Sequence, residues 1–132
     1  MTKKVMVLMG GFSAEREVSL QSGAGIAKAL RRKGYEVTTH DLSDTRQLLA
    51  ELGRSKPDVV FNALHGNWGE DGTVPALLDL LQIPYTHSGM QASCVGMNKY
   101  LCRLIAEKAG LKTAYGRKLT AREFITQGSP VA

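Results

Sequence analysis

The sequence is poor in cysteine and has no apolar run long enough to cross a membrane as a helix. Its two cysteines, Cys94 and Cys102, do not have the spacing of a metal site, so we interpret them as buried free thiols. The first apolar run is too short for a signal peptide and leads directly into a glycine turn. These features predict a cytoplasmic protein that does not associate with membranes.

Two nucleotide-binding signatures are also missing. The first glycine-rich stretch matches neither G-x-G-x-x-G nor G-x-x-x-x-G-K-[ST], which argues against a dinucleotide-dependent oxidoreductase. The 17 basic and 12 acidic side chains give a net charge of +5, but the basic residues are scattered and no aromatic platform accompanies them. We therefore predict no nucleic-acid binding.

The pattern that is present indicates one globular domain of 132 residues, 43% of them apolar. Apolar runs of strand length alternate with segments of helical period. This alternation predicts an α/β fold, a Rossmann-like three-layer domain in which helices cover both faces of a mainly parallel sheet. The predicted strands span residues 5–9, 35–40, 59–64 and 83–86.

The segments between and after these strands have apolar residues at helical spacing, so we predict that they form helices. The first helix should begin near a Ser13 cap and end at Arg32, and a helix further on should begin at Thr120. Residues 128–130 are predicted to form a turn. The apolar positions expected to face the core are Val18, Ser22, Gly25, Ile26, Ala29 and Leu30, then Leu48, Leu49 and Leu52, then Val74, Leu77, Leu78 and Leu81, then Leu101, Leu104 and Ile105.

The stretch 9–19 joins the first strand to the first helix, the place where open α/β sheets bind ligands. Gly10 and Gly11 allow a sharp turn there, and the free amides at the helix start favour an anion. The Glu15 carboxylate would hold an ammonium group. Together these groups predict a site for a zwitterion such as an amino acid. The alternative is that Glu15 only complements the helix dipole, and its own chemistry leaves both possibilities open.

Two more polar loops, 65–72 and 87–89, follow later strands and should emerge at the same edge of the sheet. His65, considered alone, fits a structural role in a tight turn, and Lys99, considered alone, fits a solvated helix face. Glu70 and Asp71 are expected to anchor hydrogen bonds within their loop rather than to act as a catalytic pair.

Three stretches of the sequence resemble the signatures of D-alanine–D-alanine ligases. They are GGFSAEREVSL at 10–20, HGNWGEDG at 65–72, and PYTHSG at 84–89 followed by MNK at 97–99. They occur in the family's order and spacing, and the resemblance covers nearly the whole chain. His87 and Asn98 depart from it, since the family often has Gly and Asp there.

The resemblance implies an enzyme that uses ATP and Mg²⁺, or Mn²⁺, to join two D-alanines for peptidoglycan synthesis. It implies that residues 1–112 form the substrate-binding, pre-ATP-grasp domain and that 113–132 begin the connection to an ATP-grasp lobe. We expect this part alone to be inactive and to bind no cofactor, and the full-length enzyme to be a homodimer. The alternative is a non-catalytic α/β module that binds a small molecule or a partner.

The resemblance also implies roles for individual residues. Glu15 would hold the ammonium of the first D-alanine, and Val18 and Ser19 would lie beside that substrate at the helix start. His65 would lie near the carboxylate that becomes phosphorylated, which makes Glu15 and His65 the catalytic candidates. Lys99 would reach the phosphates of ATP, and no metal ligand is assigned to this part.

Overall fold

A computed structural model describes residues 2–127, which divide into two compact units at residues 97 and 98. The predicted turn at 128–130 lies outside the described residues, and the predicted domain boundary at residue 112 stays a prediction. The elements are β1 (Lys4–Gly10), α1 (Arg16–Arg32), β2 (Glu36–Leu42), α2 (Thr45–Ser55), β3 (Val59–Asn62), α3 (Thr73–Leu80), α4 (Met90–Met97), α5 (Lys99–Lys108) and α6 (Ala121–Gln127).

The first unit is built on a three-stranded sheet in the order β2-β1-β3, and both pairings are parallel. The apolar run of β1 is buried because neighbours cover it on both sides and both faces. The predicted fourth strand is reduced to one bridge between Val60 and Tyr85. Pro84, which precedes the bridge, has no N–H to donate to a ladder, so the strand does not extend.

Helices cover both faces of this sheet, which confirms the three-layer α/β prediction. Successive residues of a strand point to opposite faces, so Met6 and Val7 belong to different cores. Val7 packs with Ala27 of α1 and with Ala63, whereas the other face packs against α2 and α3. The larger core consists of Met6, Leu8, Leu42, Leu48, Leu52, Val60, Leu64, Val74 and Leu78.

The buried face of α1 differs from the predicted stripe. Its buried residues are Ser19, Gly23 and Ala27, whereas the predicted Val18 is 54% exposed. A Cβ built on Gly23 would lie 2.6 Å from the Cβ of Met9, so only a glycine allows this approach. Close packing selects small residues here, while the apolar pattern points to larger ones, and Ser22, Ile26 and Leu30 lie half-buried beside the contact.

The structure agrees with some of the predicted helix caps and not with others. Ser13 is not the cap of α1, because Glu15 occupies that position and Ser13 Oγ accepts a hydrogen bond from the Glu15 N–H at 3.2 Å. For α2 the sequence offers Ser43 or Asp44 as the cap, and Asp44 takes that position and accepts from the Arg46 N–H at 2.8 Å. Thr120 and Glu123 form a reciprocal cap on α6, as the sequence predicts for Thr120.

Several residues predicted to be buried are exposed. Cys94 is exposed and Cys102 half-buried, so the two thiols are free but not both interior. Leu49 lies outside the core because the buried stripe of α2 is narrower than its apolar pattern, and Leu81 lies just beyond the end of α3. In α5 no residue is buried, and Leu101, Leu104 and Ile105 are between 38% and 49% exposed. None of the helices within residues 2–127 has the length and apolar character needed to span a bilayer.

Candidate functional site

Two loops meet at the carboxyl edge of the sheet: the first loop (11–15), which follows β1, and the second loop (63–72), which follows β3. The strands are parallel neighbours, so their loops emerge side by side. A Cβ built on Gly66 would lie 3.1 Å from the Cβ of Ser13 and 3.5 Å from Oε2 of Glu15. The structure thus brings the Glu15 carboxylate to the turn that contains His65.

Glu15 presents its carboxylate to solvent at the start of α1. No hydrogen bond or ion pair engages that carboxylate among residues 2–127. The backbone N–H groups of Glu17 and Val18 lie in the first turn of the helix and point along its axis. Neither donates a hydrogen bond to an acceptor among residues 2–127. The start of α1 therefore offers one negative side chain beside backbone donors, a combination suited to a zwitterion.

His65 lies half-buried at the beginning of the second loop. Its Nε2 is shielded from solvent and has no hydrogen-bond partner within the described residues. A buried polar nitrogen left without a partner costs about 1–3 kcal/mol, so such atoms are usually paired. The Nε2 of His65 is thus left with an unmet hydrogen bond, as are His40 Nε2 and Arg103 Nε among the described residues.

Ser19 links the ends of β1 and β3. Its side chain is fully buried, and its Oγ accepts from the Gly10 N–H at 2.9 Å and donates to the Ala63 carbonyl at 2.7 Å. The hydroxyl predicted to lie beside the substrate is therefore engaged in holding the two loops together. Val18, its neighbour along the helix, is exposed at the helix start, and its predicted contact with a substrate stays a prediction.

An ion pair that the sequence did not reveal connects the first loop to β2. Arg16 donates two hydrogen bonds to the Asp41 carboxylate, at 2.7 and 2.6 Å, and also contacts the Gly11 carbonyl at 3.4 Å. Hydrogen bonding to the guanidinium lowers the pKa of Asp41 and raises that of Arg16. The partners are 25 residues apart, so no local pattern signals the pair.

Buried Asn62 organises the second loop from the end of β3. Its Nδ2 donates to the Gly69 carbonyl at 2.8 Å, and its Oδ1 accepts from the Leu64 N–H at 3.2 Å. Glu70 accepts from the Gly66 N–H at 2.8 Å, which confirms its predicted anchoring role. An amide at the end of an apolar strand, just before a glycine-rich loop, is the signal that would have identified Asn62.

The third loop follows the Val60–Tyr85 bridge at the same edge. Thr86 Oγ1 accepts from the Asn62 N–H at 3.0 Å, which places this loop beside the second. His87 has φ of 84°, in the left-handed region that favours glycine. The loop thus keeps the backbone that the family's glycine would adopt, while the His87 ring contacts Phe61 edge-to-face at 6.4 Å.

Lys99, the predicted phosphate contact, is the first residue of α5 in the second unit and is exposed. Asn98 caps that helix by accepting from the Leu101 N–H at 3.1 Å, a role that its amide fulfils without the family's carboxylate. Across the described residues, no group of three or more His, Cys, Asp or Glu side chains is placed to hold a metal ion.

Comparison with known proteins finds relatives that match most of this chain. A family model described as "D-ala D-ala ligase N-terminus" matches residues 4–56 and 43–88. The D-alanine–D-alanine ligase of Paramagnetospirillum magneticum is 51% identical over 121 residues, which are 91% of this chain and 40% of that protein. The ligase of Parvibaculum lavamentivorans is 54% identical over 112 residues, 85% of this chain and 36% of that protein.

Crystal structures of D-alanine–D-alanine ligases also match the fold of this chain. The crystal structure of the Bacillus anthracis D-alanine–D-alanine ligase complexed with ATP superposes with a TM-score of 0.80 at 31% identity, covering 98% of this chain and 46% of that one. The Aeromonas hydrophila ligase gives 0.79 at 23% identity, which supports the fold. The chain spans 36–40% of the two ligase sequences, 46% of the Bacillus anthracis chain and 55% of the Aeromonas hydrophila chain.

Proposed function

This chain belongs to the D-alanine–D-alanine ligase family, and from that premise we propose that its first and second loops bind the first D-alanine of a ligase reaction. The complete protein would join two D-alanines in the cytoplasm, converting ATP to ADP and phosphate, for peptidoglycan synthesis. Residues 2–127 would supply substrate binding through Glu15 and the neighbouring start of α1, and no group of three or more candidate metal ligands lies among them. The ATP-grasp part of the longer relatives would supply those.

One observation carries the proposal: the Glu15 carboxylate, free of partners among residues 2–127, lies against the turn that follows His65. An ammonium at Glu15 would place the attached carboxylate of an amino acid within reach of the start of α1. The N–H groups of Glu17 and Val18 have no acceptor among the described residues, and the Nε2 of His65, beside the turn at Gly66, has an unmet hydrogen bond. Charge and hydrogen bonding would thus fix both ends of a zwitterion.

These residues would act on the first D-alanine by binding and orientation. Glu15 holds the ammonium, so the carboxylate points away from it in one direction. His65 hydrogen-bonds a carboxylate oxygen and stabilises the charge that develops there when the acyl phosphate forms and the second amine attacks. ATP would supply the phosphoryl group, and Lys99 would contact its phosphates as a point charge.

The rest of the longer protein would cover surfaces that are exposed in this chain. The apolar side chains of α5, none of them buried, offer area for such packing. We also expect the full-length enzyme to be a homodimer, as the family resemblance implies. Sedimentation of the full-length protein would measure this, and a monomer at all concentrations would contradict it.

Turnover in a hybrid enzyme tests the proposal. Residues 1–132 would replace the matching part of the Paramagnetospirillum magneticum ligase, and kcat/KM for D-alanine would be measured. We expect Glu15→Gln to lower kcat/KM roughly 100-fold, since it removes the charge facing the ammonium. Glu17→Gln, two residues along the same helix turn and also exposed, is the matched control and should change little.

Circular dichroism would verify that both variants keep their fold. Near-normal turnover by Glu15→Gln, or equal losses in both variants, would contradict the role of Glu15. The 132-residue chain alone should release no phosphate from ATP. Measurable hydrolysis by the purified chain would show that the division of labour between its parts is wrong.

A further inference from the structure

We propose that the contact between Phe12 and Trp68 is a positioning contact that fixes the first loop against the second. Neither residue is assigned to substrate binding or catalysis above. The consequence for D-alanine affinity rests on the proposed function, whereas the link between the loops does not depend on any ligand.

The two rings meet edge-to-face, with centroids 5.3 Å apart and an interplanar angle of 63°. This is the arrangement that aromatic rings prefer, because the positive ring edge faces the negative ring face. Phe12 precedes Glu15 by three residues, and Trp68 follows His65 by three. The ring contact and the approach of Glu15 to Gly66 therefore join the same two loops at two separate points.

The backbone of Trp68 supports this interpretation. Its φ of 75° is left-handed, a conformation that is unfavourable for a residue with a Cβ and that glycine adopts easily. The Trp68 N–H donates to Asp71 Oδ2 at 2.9 Å, and its carbonyl accepts from the Val74 N–H at 3.0 Å. A strained backbone held by specific bonds indicates that the ring direction it produces is needed.

Asp71 is anchored strongly enough to hold that conformation. Its other oxygen accepts from the Thr73 N–H at 2.9 Å, at the start of α3. Burial raises the pKa of the Asp71 carboxyl, but the hydrogen bonds from Trp68 and Thr73 together outweigh it and the pKa is lowered. The carboxylate is thus ionised at neutral pH and fixes Trp68 to the helix.

Trp68 is consequently the rigid partner and Phe12 the dependent one. The Trp68 ring packs against the larger core, whereas the Phe12 ring is 50% exposed. Removing the Phe12 ring should leave the core intact and release the first loop, which carries Glu15. A tyrosine at position 12 would retain the ring edge, and a leucine would retain apolar bulk without it.

The test uses the 132-residue chain, in which Trp68 is the single tryptophan and hence the source of its indole fluorescence. The variants are Phe12→Ala, Phe12→Leu and Phe12→Tyr. Leu49→Ala is the matched control, because Leu49 is 49% exposed on α2, outside both loops. Three quantities would be measured: exchange rates of the Glu15 and Arg16 amides, whose N–H groups bond to Ser13 in and beside the first loop, Trp68 emission, and D-alanine affinity by titration.

We expect Phe12→Ala and Phe12→Leu to speed exchange at both amides by about two- to tenfold and to shift the emission. D-Alanine affinity should fall by a similar factor, and Phe12→Tyr should restore all three quantities. Leu49→Ala should change none of them. Phe12→Leu keeps apolar bulk at position 12. If Phe12→Ala does not fold, Phe12→Leu therefore still tests whether the Phe12 ring fixes the first loop.

Unchanged exchange at the Glu15 and Arg16 amides of Phe12→Leu would overturn the positioning contact. A loss of affinity without a change in exchange would also overturn it, since Phe12 would then contact the ligand directly. If the unaltered chain binds no D-alanine, the proposed function fails at this step. The exchange rates would still decide whether Phe12 fixes the loops.

Discussion

The first and second loops contribute one candidate residue each, yet they are held in opposite ways. The first loop is held through the start of α1, whose partners are distant in sequence: Ser19 reaches Ala63, 44 residues on, and Arg16 reaches Asp41, 25 residues on. These contacts exist only once the sheet has formed. The position of Glu15 is therefore a product of tertiary structure.

The second loop depends mainly on bonds within itself. Asn62 bonds to Gly69, seven residues on, and Trp68 to Asp71, three residues on. Such a loop can hold its shape with little help from the rest of the fold. The comparison teaches that His65 lies on a self-supporting loop, against which the loop carrying Glu15 is placed.

Among the variants that test this difference between the two loops, Asn62→Ala should have the largest effect on stability. It removes a fully buried amide and leaves the Gly69 carbonyl and the Leu64 N–H without their partner. We expect a loss of about 3 kcal/mol in the free energy of unfolding, measured by urea titration. Amide exchange should increase in the second loop more than in the first.

Asn67→Ala is the control for that variant, since Asn67 is exposed in the same loop. It should lower stability by less than about 0.5 kcal/mol. Equal unfolding midpoints for the two variants, or increased exchange spread over both loops, would remove the distinction between a self-supporting and a dependent loop.

Ser19→Ala should have the next largest effect, a loss of about 2 kcal/mol in the free energy of unfolding. The change leaves the Gly10 N–H and the Ala63 carbonyl unpaired, one at the end of each neighbouring strand. Exchange should therefore increase in both loops together. Ser22→Ala, on the same helix, is the control, and exchange confined to one loop would contradict the link through Ser19.

Asp41→Asn should have a smaller effect that depends on pH. Hydrogen bonding to Arg16 lowers the pKa of Asp41 below its ordinary 3.8, so its contribution is present at neutral pH. That contribution should vanish as the pH falls through the lowered pKa, where the folded protein also binds the proton. Urea midpoints of the variant and the unaltered chain should thus differ at pH 7 and converge in acid.

Repeating the comparison in the Arg16→Gln background provides the control. Without the guanidinium, Asp41→Asn should no longer produce that pH dependence. Persistence of the same pH-dependent difference would show that Arg16 is not its cause. Because both side chains are substantially exposed, the pair places the first loop more than it stabilises the fold.

The smallest expected effect is a gain in stability, produced by a substitution at His87. His87→Gly should stabilise the chain by about 0.5–1 kcal/mol, because φ of 84° is easier for glycine, with part of the gain offset by the lost contact to Phe61. His87→Ala removes the same ring but keeps the Cβ, so it should give no gain. A melting temperature that rises equally in both variants would contradict the backbone explanation.

The two loops also show what the sequence could predict. The strand–helix alternation, the parallel sheet and the hydrogen-bonding role of Glu70 and Asp71 follow from local pattern, and the structure confirms them. The Arg16–Asp41 pair and the double hydrogen bond of Ser19 could not be predicted. Both depend on which strands become neighbours, and that information is not local.

Burial shows the same limit. The helices α3 and α5 have the same apolar spacing, yet Leu78 is fully buried and Leu104 is 41% exposed. Spacing predicts that a helix has an apolar face, but the burial of that face requires a partner element. The rotated stripe of α1 adds that close packing against a strand can select small side chains over large ones.

The central claim is that the Glu15 carboxylate binds the ammonium of D-alanine. The most direct test is a calorimetric cycle that titrates D-alanine and D-lactate, which has a hydroxyl in place of the ammonium, into the unaltered chain and into Glu15→Gln. We predict a coupling of about 1.5–3 kcal/mol, so that preference for D-alanine is lost in Glu15→Gln and retained in Glu17→Gln. A preference that survives in Glu15→Gln would contradict the account.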